Sequence, residues 1–297
     1  MSVDSFAKVL SAAQSDQPTQ FPQFCQHLKQ QVQQALQIDI GSGDITAALI
    51  TDKVMARATV MTREDAVICG VACVEAVFQQ LDPSIKIIKH CNDGDEIQQG
   101  QVLVELIGPA CALLTGERVA LNFLQTLSGT ATTTRHYVNL IRHTQTVILD
   151  TRKTIPGFRY LQKYAVLCGG AQNHRFGLYD AFLIKENHIV ACGSIANAVN
   201  RARALYPERL IEVEVESLDE LQQALDLKVE RIMLDNFDLE MTAQAVELNR
   251  LNTKLEVSGN VSELDLVAYA ETGVDYISIG ALTKHLQAID FSMRITL

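Results

Sequence analysis

The stretch LIEVEVESLDELQQALDLKVERIMLD, residues 210–235, decides the fold. It opens on a β-branched run, LIEVEVE at 210–216, and closes on another, RIMLD at 231–235. Between them lies a helical pattern that starts at Ser217 with Glu220 three residues on, the spacing of a capping box. Strand, helix and strand with short connections are the grammar of a parallel sheet. The same grammar runs outward in both directions: VILD near 147–150, FLIK near 182–185, KLEVSG near 254–259 and YISIG near 276–280. Ser262 with Asp265 forms a weaker cap before another helical segment. The strand ends, near 150, 185, 214, 235, 258 and 279, are 21 to 35 residues apart. That is the spacing of a βα-barrel. Six strands are clear, a seventh is allowed and eight cannot be found, so an incomplete, roughly seven-stranded α/β barrel is expected.

The other half of the chain reads differently. Residues 1–40 are helical in pattern, with a Gln-rich polar face around Gln26 to Gln37. Gly41, Ser42, Gly43 and Asp44 break that helix, and Asp44 is placed to cap a new one. Ala56–Val60 alternates as a strand, and Cys69–Leu81 has a helical period. From Ile85 to Ile107 short strands alternate with tight turns at Asp93-Gly94-Asp95 and Gln99-Gly100. DGDEIQQGQVLVELIG, residues 93–108, resembles the turn–strand pattern of biotinyl and lipoyl carrier domains. It lacks their turn lysine, which leaves an open β scaffold. A long helix from about Gly116 to Thr144 is expected to link the halves. The expected division is an N-terminal open α/β sandwich domain, 1–128, joined by the tail 286–297, and a catalytic barrel domain, 129–285.

Composition narrows the function. Apolar residues make up 47% of the 297 residues and charged ones 20%, as in ordinary globular chains. The longest near-apolar run, Ala66 to Val74, is far short of the roughly twenty residues that span a bilayer. A net charge of −10 argues against nucleic acid and anionic membrane surfaces as partners. The first twenty residues lack a secretory pattern. Seven cysteines without a CxxC pair suggest a reduced, cytoplasmic setting. Cys69 and Cys73 lack a His or acidic pair to complete a metal site.

Barrel chemistry sits at the C-terminal ends of the strands. Those ends carry Asp150-Thr151-Arg152-Lys153, Lys185-Glu186-Asn187-His188, Glu214, Asp235-Asn236, Ser258-Gly259-Asn260 and Ser278-Ile279-Gly280. Residues 135–185 hold eight Lys/Arg and two acids, a net +6 inside a chain of net −10. That contrast predicts a cationic pocket for a small, multiply anionic substrate. Glu214 and Asp235 end adjacent strands and offer oxygen donors suited to Mg²⁺, directly or through water or substrate. They would equally serve as partners for the basic residues. The small residues at the last two strand ends suit phosphate. Together these features suggest transfer between a phosphorylated sugar and an acidic acceptor.

The run DTRKTIPGFRYLQKYAVLCGGAQNHRFGLYDAFLIKENHI, 150–189, closely resembles the quinolinate phosphoribosyltransferase family. GERVALNFLQTLSGTAT (116–132), EVEVES (212–217), MLDN (233–236), VSGN (257–260) and ISIGALTK (277–284) match the same family in order. The resemblance implies transfer of phosphoribosyl from phosphoribosyl pyrophosphate to quinolinate with Mg²⁺ and decarboxylation, in a homodimer. It implies that Arg118 reaches quinolinate across the dimer, and that Arg152, His174, Arg175 and Lys185 surround the two carboxylates, beside Thr151. Lys153 would sit near the pyrophosphate or the decarboxylating edge. Glu214 and Asp235 would face the ribose hydroxyls and Mg²⁺. Ser258, Gly259, Asn260, Ser278, Ile279 and Gly280 would hold the 5′-phosphate. Three rivals remain: a Schiff-base enzyme using Lys153 or Lys185, a phosphoribosyltransferase for another aromatic acid, and a non-catalytic sensor.

Overall fold

The computed structural model describes residues 21–51, 54–250, 253–259 and 261–297. In chain order the first elements are α1 (Phe21–Ile40), β1 (Met55–Thr62), β2 (Ala66–Val67) and α2 (Val71–Leu81). Next come β3 (Lys86–Lys89), β4 (Glu96–Ile97), β5 (Val102–Pro109) and α3 (Ala110–Leu140). The alternating half comes after them: β6 (Val147–Leu149), α4 (Arg159–Cys168), β7 (Phe182–Ile184), α5 (Glu186–Cys192) and α6 (Ile195–Leu205). It continues through β8 (Ile211–Val215), α7 (Leu218–Asp226), β9 (Arg231–Asp235), α8 (Leu239–Leu248), β10 (Lys254–Ser258) and α9 (Glu263–Glu271). The last elements are β11 (Tyr276–Ser278), α10 (Ala281–Lys284) and β12 (Phe291–Thr296).

These elements fall into two compact units. The first takes in the described residues up to His136, with Thr154–Ala171 and Ala281–Leu297. Its sheet is antiparallel, in the order β12-β1-β5-β3. The C-terminal strand thus pairs with the first one, Phe291 opposite Thr62 and Thr296 opposite Arg57. Alternation along β1 buries Ala56, Ala58 and Val60, and α1 adds Phe24, Leu28, Val32 and Leu36 at four-residue spacing. Asp44 accepts from the amides of Thr46 and Ala47, at 3.0 and 2.9 Å, and starts a short 3₁₀ turn. The expected helix at Cys69 starts at Val71, where Asp93 accepts from the amides of Gly70 and Val71. The long helix α3 begins at Ala110 rather than at Gly116, and it ends at Leu140 rather than at Thr144. Gly116 is a packing position inside the helix, since a Cβ there would stand 2.6 Å from the Phe78 ring.

The second unit comprises Tyr137–Lys153 and Gln172–Gly280. Its sheet is parallel, ordered β6-β11-β10-β9-β8-β7. Apart from the β6–β11 pairing, neighbours in this sheet are neighbours in sequence, which is the order of a barrel. The seventh strand is reduced to one residue: Gln172 forms a parallel bridge to Leu149 on the free edge of β6. Val213, Ile232, Leu234, Leu255, Val257 and Ile277 are buried at alternate positions of the strands. Leu221, Ala224 and Leu225 of α7 and Ala198, Val199 and Ala202 of α6 are buried as well. Ser194, Ser217, Asp238 and Ser262 cap α6, α7, α8 and α9 through their side-chain oxygens. No helix among the described residues is long and apolar enough to cross a membrane.

Candidate active site

The polar strand ends of the second unit gather into one site, assembled from the end of β6 outward. Asp150 is fully buried. It accepts from Asn173 Nδ2 at 2.7 Å and from the backbone N–H of His174 at 2.9 Å. This carboxylate ties the segment after Gln172 to the end of β6. Arg152 and Lys153 are exposed beyond it, and the Lys153 amide donates to Thr151 Oγ1 at 3.1 Å. Burial, together with the smaller effect of the Arg152 charge, pulls the Arg175 guanidinium below its usual pKa. The two positive charges thus act on one another, and a bound dianion would offset both.

Lys185 precedes α5 and donates its Nζ to Glu214 Oε2 at 2.5 Å. Asp235, at the end of β9, has a carboxyl pKa raised by burial and then by the Glu214 charge, while Lys185 and Lys153 oppose the rise. Lys153, Lys185, Glu214 and Asp235 thus share one electrostatic neighbourhood. Asn236 comes next, in the left-handed region at φ 56°, and donates Nδ2 to Asp235 Oδ2 at 2.9 Å. Its amide donates to Ser258 O at 3.0 Å. Asn is among the few non-glycine residues that take this conformation readily, and its side chain bonds locally to Asp235.

The small residues have steric reasons. Gly259 has φ 96°, and a Cβ on it would stand 2.3 Å from Asn236 Oδ1. A Cβ on Gly280 would stand 2.9 Å from Lys153 Cδ, so the bare backbone lets the lysine stem cross the end of β11. Ser278 and Ile279 are buried, and the Ile279 amide donates to Leu149 O at 2.9 Å, fixing the turn to β6. Asn260 lies outside the described residues. Arg118 is exposed on α3, in the first unit.

The family model described as quinolinate phosphoribosyl transferase, C-terminal domain, matches residues 130–294, and its N-terminal counterpart matches 44–128. The chain belongs to the quinolinate phosphoribosyltransferase family. A relative from Bacillus subtilis, a probable nicotinate-nucleotide pyrophosphorylase [carboxylating], is 44% identical over 87% of this chain and 90% of its own length. Its counterpart from Synechocystis is also 44% identical, over 89% of this chain and 91% of its own. The solved structure of the nicotinate-nucleotide pyrophosphorylase from Francisella tularensis has a TM-score of 0.89 and 48% identity, covering 91% of this chain and 96% of that one.

Some polar residues of this family member escape a reading by strand ends. His174 Nε2 lies 3.0 Å from Glu212 Oε2 and 3.4 Å from Glu256 Oε2, and Arg231 Nη1 donates to Glu256 Oε2 at 3.3 Å. Glu212 and Glu256 are 1% and 0% exposed. The available signal is the two-residue period of a strand, which puts Glu212 with Glu214, Arg231 with Asp235, and Glu256 with Ser258.

Proposed function

We infer the working of the site from one observation: at the ends of the parallel strands Lys185 donates to Glu214, with Asp235 and Lys153 in the same electrostatic neighbourhood. The chain transfers phosphoribosyl from phosphoribosyl pyrophosphate to quinolinate. The products are nicotinate mononucleotide, pyrophosphate and CO₂, a step of de novo NAD synthesis. Arg152, Arg175 and Lys185 take the two carboxylates of quinolinate, since guanidinium forks suit planar dianions and fix the ring in its plane. Thr151 steadies the turn that presents Arg152 and Lys153. With the ring held, its nitrogen faces the anomeric carbon, and orientation supplies much of the rate. The C–O bond to pyrophosphate breaks as the C–N bond forms, and Glu214 and Asp235 stabilise the cationic sugar between. Lys153 offsets charge on the departing pyrophosphate. Nitrogen alkylation sets a positive charge beside C2 that stabilises the in-plane electron pair left when the 2-carboxylate departs as CO₂, and a proton from water then completes the C2–H bond. The turns Ser258-Gly259-Asn260 and Ser278-Ile279-Gly280 hold the 5′-phosphate.

Glu214 and Asp235 fit Mg²⁺: both present carboxylate oxygens, and burial followed by the Glu214 charge raises the Asp235 pKa, a cost that a cation would offset. When bound, Mg²⁺ supplies positive charge for pyrophosphate and ribose oxygens. The enzyme works as a homodimer in which Arg118 completes the partner's quinolinate pocket, and it acts in the cytoplasm, where its seven free thiols persist. The direct test is product analysis with quinolinate, phosphoribosyl pyrophosphate and Mg²⁺. Nicotinate mononucleotide and CO₂ in equal amounts are expected, and a folded protein giving neither would refute the assignment.

A further inference from the structure

Beneath the strand ends, the inner face of the parallel sheet carries a second polar cluster. Barrel interiors are ordinarily filled by branched apolar side chains. Here Glu212 on β8, Arg231 on β9 and Glu256 on β10 occupy adjacent strands, and His174 meets the two glutamates from the segment after Gln172. The Arg231 guanidinium carbon lies 4.4 Å from the centre of the Tyr276 ring. The remaining oxygens, Glu212 Oε1 and Glu256 Oε1, are buried and have no hydrogen-bond partner among the described residues. A well-packed hydrophobic pair would ordinarily serve folding as well or better at such depth. The glutamates therefore require an explanation other than stability.

The imidazole supplies it. Glu212 and Glu256 face Nε2. On the other side of the ring, Nδ1 accepts the backbone N–H of Arg175 at 2.7 Å. Nδ1 is thus hydrogen-bonded, Nε2 lies 3.0 and 3.4 Å from the two carboxylates, and His174 is 7% exposed. Asp150 holds the His174 amide and the Asn173 side chain, so the backbone is pinned just before Arg175. The guanidinium of Arg175 then reaches Ala181 O, Nη1 to oxygen 3.3 Å.

We propose that Glu212 and Glu256 are positioning residues that aim the Arg175 guanidinium at quinolinate by way of His174. The inference rests on Arg175 being a quinolinate ligand, as in the proposed function. It gives His174 the task of holding Arg175 rather than of touching a substrate carboxylate. The ligand atoms of His174, Glu212 and Glu256 lie within 4.8 Å of one another, a spacing open to a metal ion. Arg231 already brings positive charge to Glu256, 3.3 Å from its Nη1.

The test is steady-state kinetics of the full-length enzyme with each substrate varied in turn. Glu212→Gln and Glu256→Gln are expected to raise the KM for quinolinate roughly tenfold, in line with loss of one charge-assisted contact. The KM for phosphoribosyl pyrophosphate and kcat at saturating quinolinate should change far less. Equal rises in both KM values, or a fall in kcat alone, would overturn the proposal. A second pair keeps the test independent of folding at the glutamates. The Asn amide mimics Nδ1 and the Gln amide mimics Nε2, so His174→Asn should retain quinolinate affinity better than His174→Gln. The reverse order would place Nε2, not the Arg175 tether, in the working role. One metal ion per chain on this cluster, retained by the purified enzyme and lost in Glu256→Gln, would also overturn it. No quinolinate turnover by the unmodified enzyme would instead refute the assigned function, a different result from variants with an unchanged KM.

Discussion

Glu212 and Glu214 stand two residues apart on β8, yet they live in different environments. Glu214 lies one residue before the end of the strand and meets Lys185; its side chain is 11% exposed and that of Lys185 44%. Glu212, at 1%, is closed in with His174 and shares it with Glu256. With Nδ1 accepting from the Arg175 amide, the ring keeps its proton on Nε2, the nitrogen that faces the two glutamates. The same strands thus carry two polar layers, an outer one at the strand ends and an inner one buried beneath it. One residue type serves both, and depth along the strand decides which.

The largest effect should separate the layers by stability. Glu256→Ala leaves Arg231 and His174 without their shared carboxylate and is expected to cost about 3–5 kcal/mol. Glu214→Ala breaks a partly exposed pair and is expected to cost about 0–1 kcal/mol while removing most activity. Urea unfolding of both variants checks the contrast, and equal losses would dissolve the two-layer picture. Next in size is the outer layer's own specificity. Arg175→Ala should weaken quinolinate binding by about 1.5–3 kcal/mol, roughly tenfold or more, with little change for phosphoribosyl pyrophosphate. Parallel titration calorimetry reads this, and a similar loss for both substrates would remove Arg175 from the dicarboxylate cradle. The smallest effect is steric. Gly259→Ala brings a Cβ within 2.3 Å of Asn236 Oδ1 at φ 96°, a strain of about 1–3 kcal/mol. A lowered melting temperature together with a lowered kcat is expected, because Asn236 holds Asp235. A variant of unchanged stability would mean that the turn yields freely.

Much of this was legible in the sequence. β-Branched runs with polar ends announced all six strands of the parallel sheet, because a strand buried on its helix-facing side must be apolar there and its last residue meets the mouth. Gln172 carried no such signal, since a strand of one residue has no period to read. α3 starts at Ala110, six residues before the expected Gly116, and the Phe78 ring beside Gly116 shows why that position is glycine. Of the site, the outer layer could be read from strand ends. The inner layer could be placed on the sheet's inner face by alternation alone, but its partner His174 arrives from a loop distant in sequence. Pairing across that separation is a property of the fold, not of any local pattern.

The central claim is that two carboxylates on the acceptor are what the cationic cradle of Arg152, Arg175 and Lys185 is built to hold. The most direct measurement compares quinolinate with nicotinate, which lacks the 2-carboxylate, in direct binding and in turnover by the unmodified enzyme. Quinolinate should bind at least roughly tenfold more tightly, the worth of about one charge-assisted contact, and nicotinate should give little product. Equal affinity and equal turnover for the two acids would contradict the account.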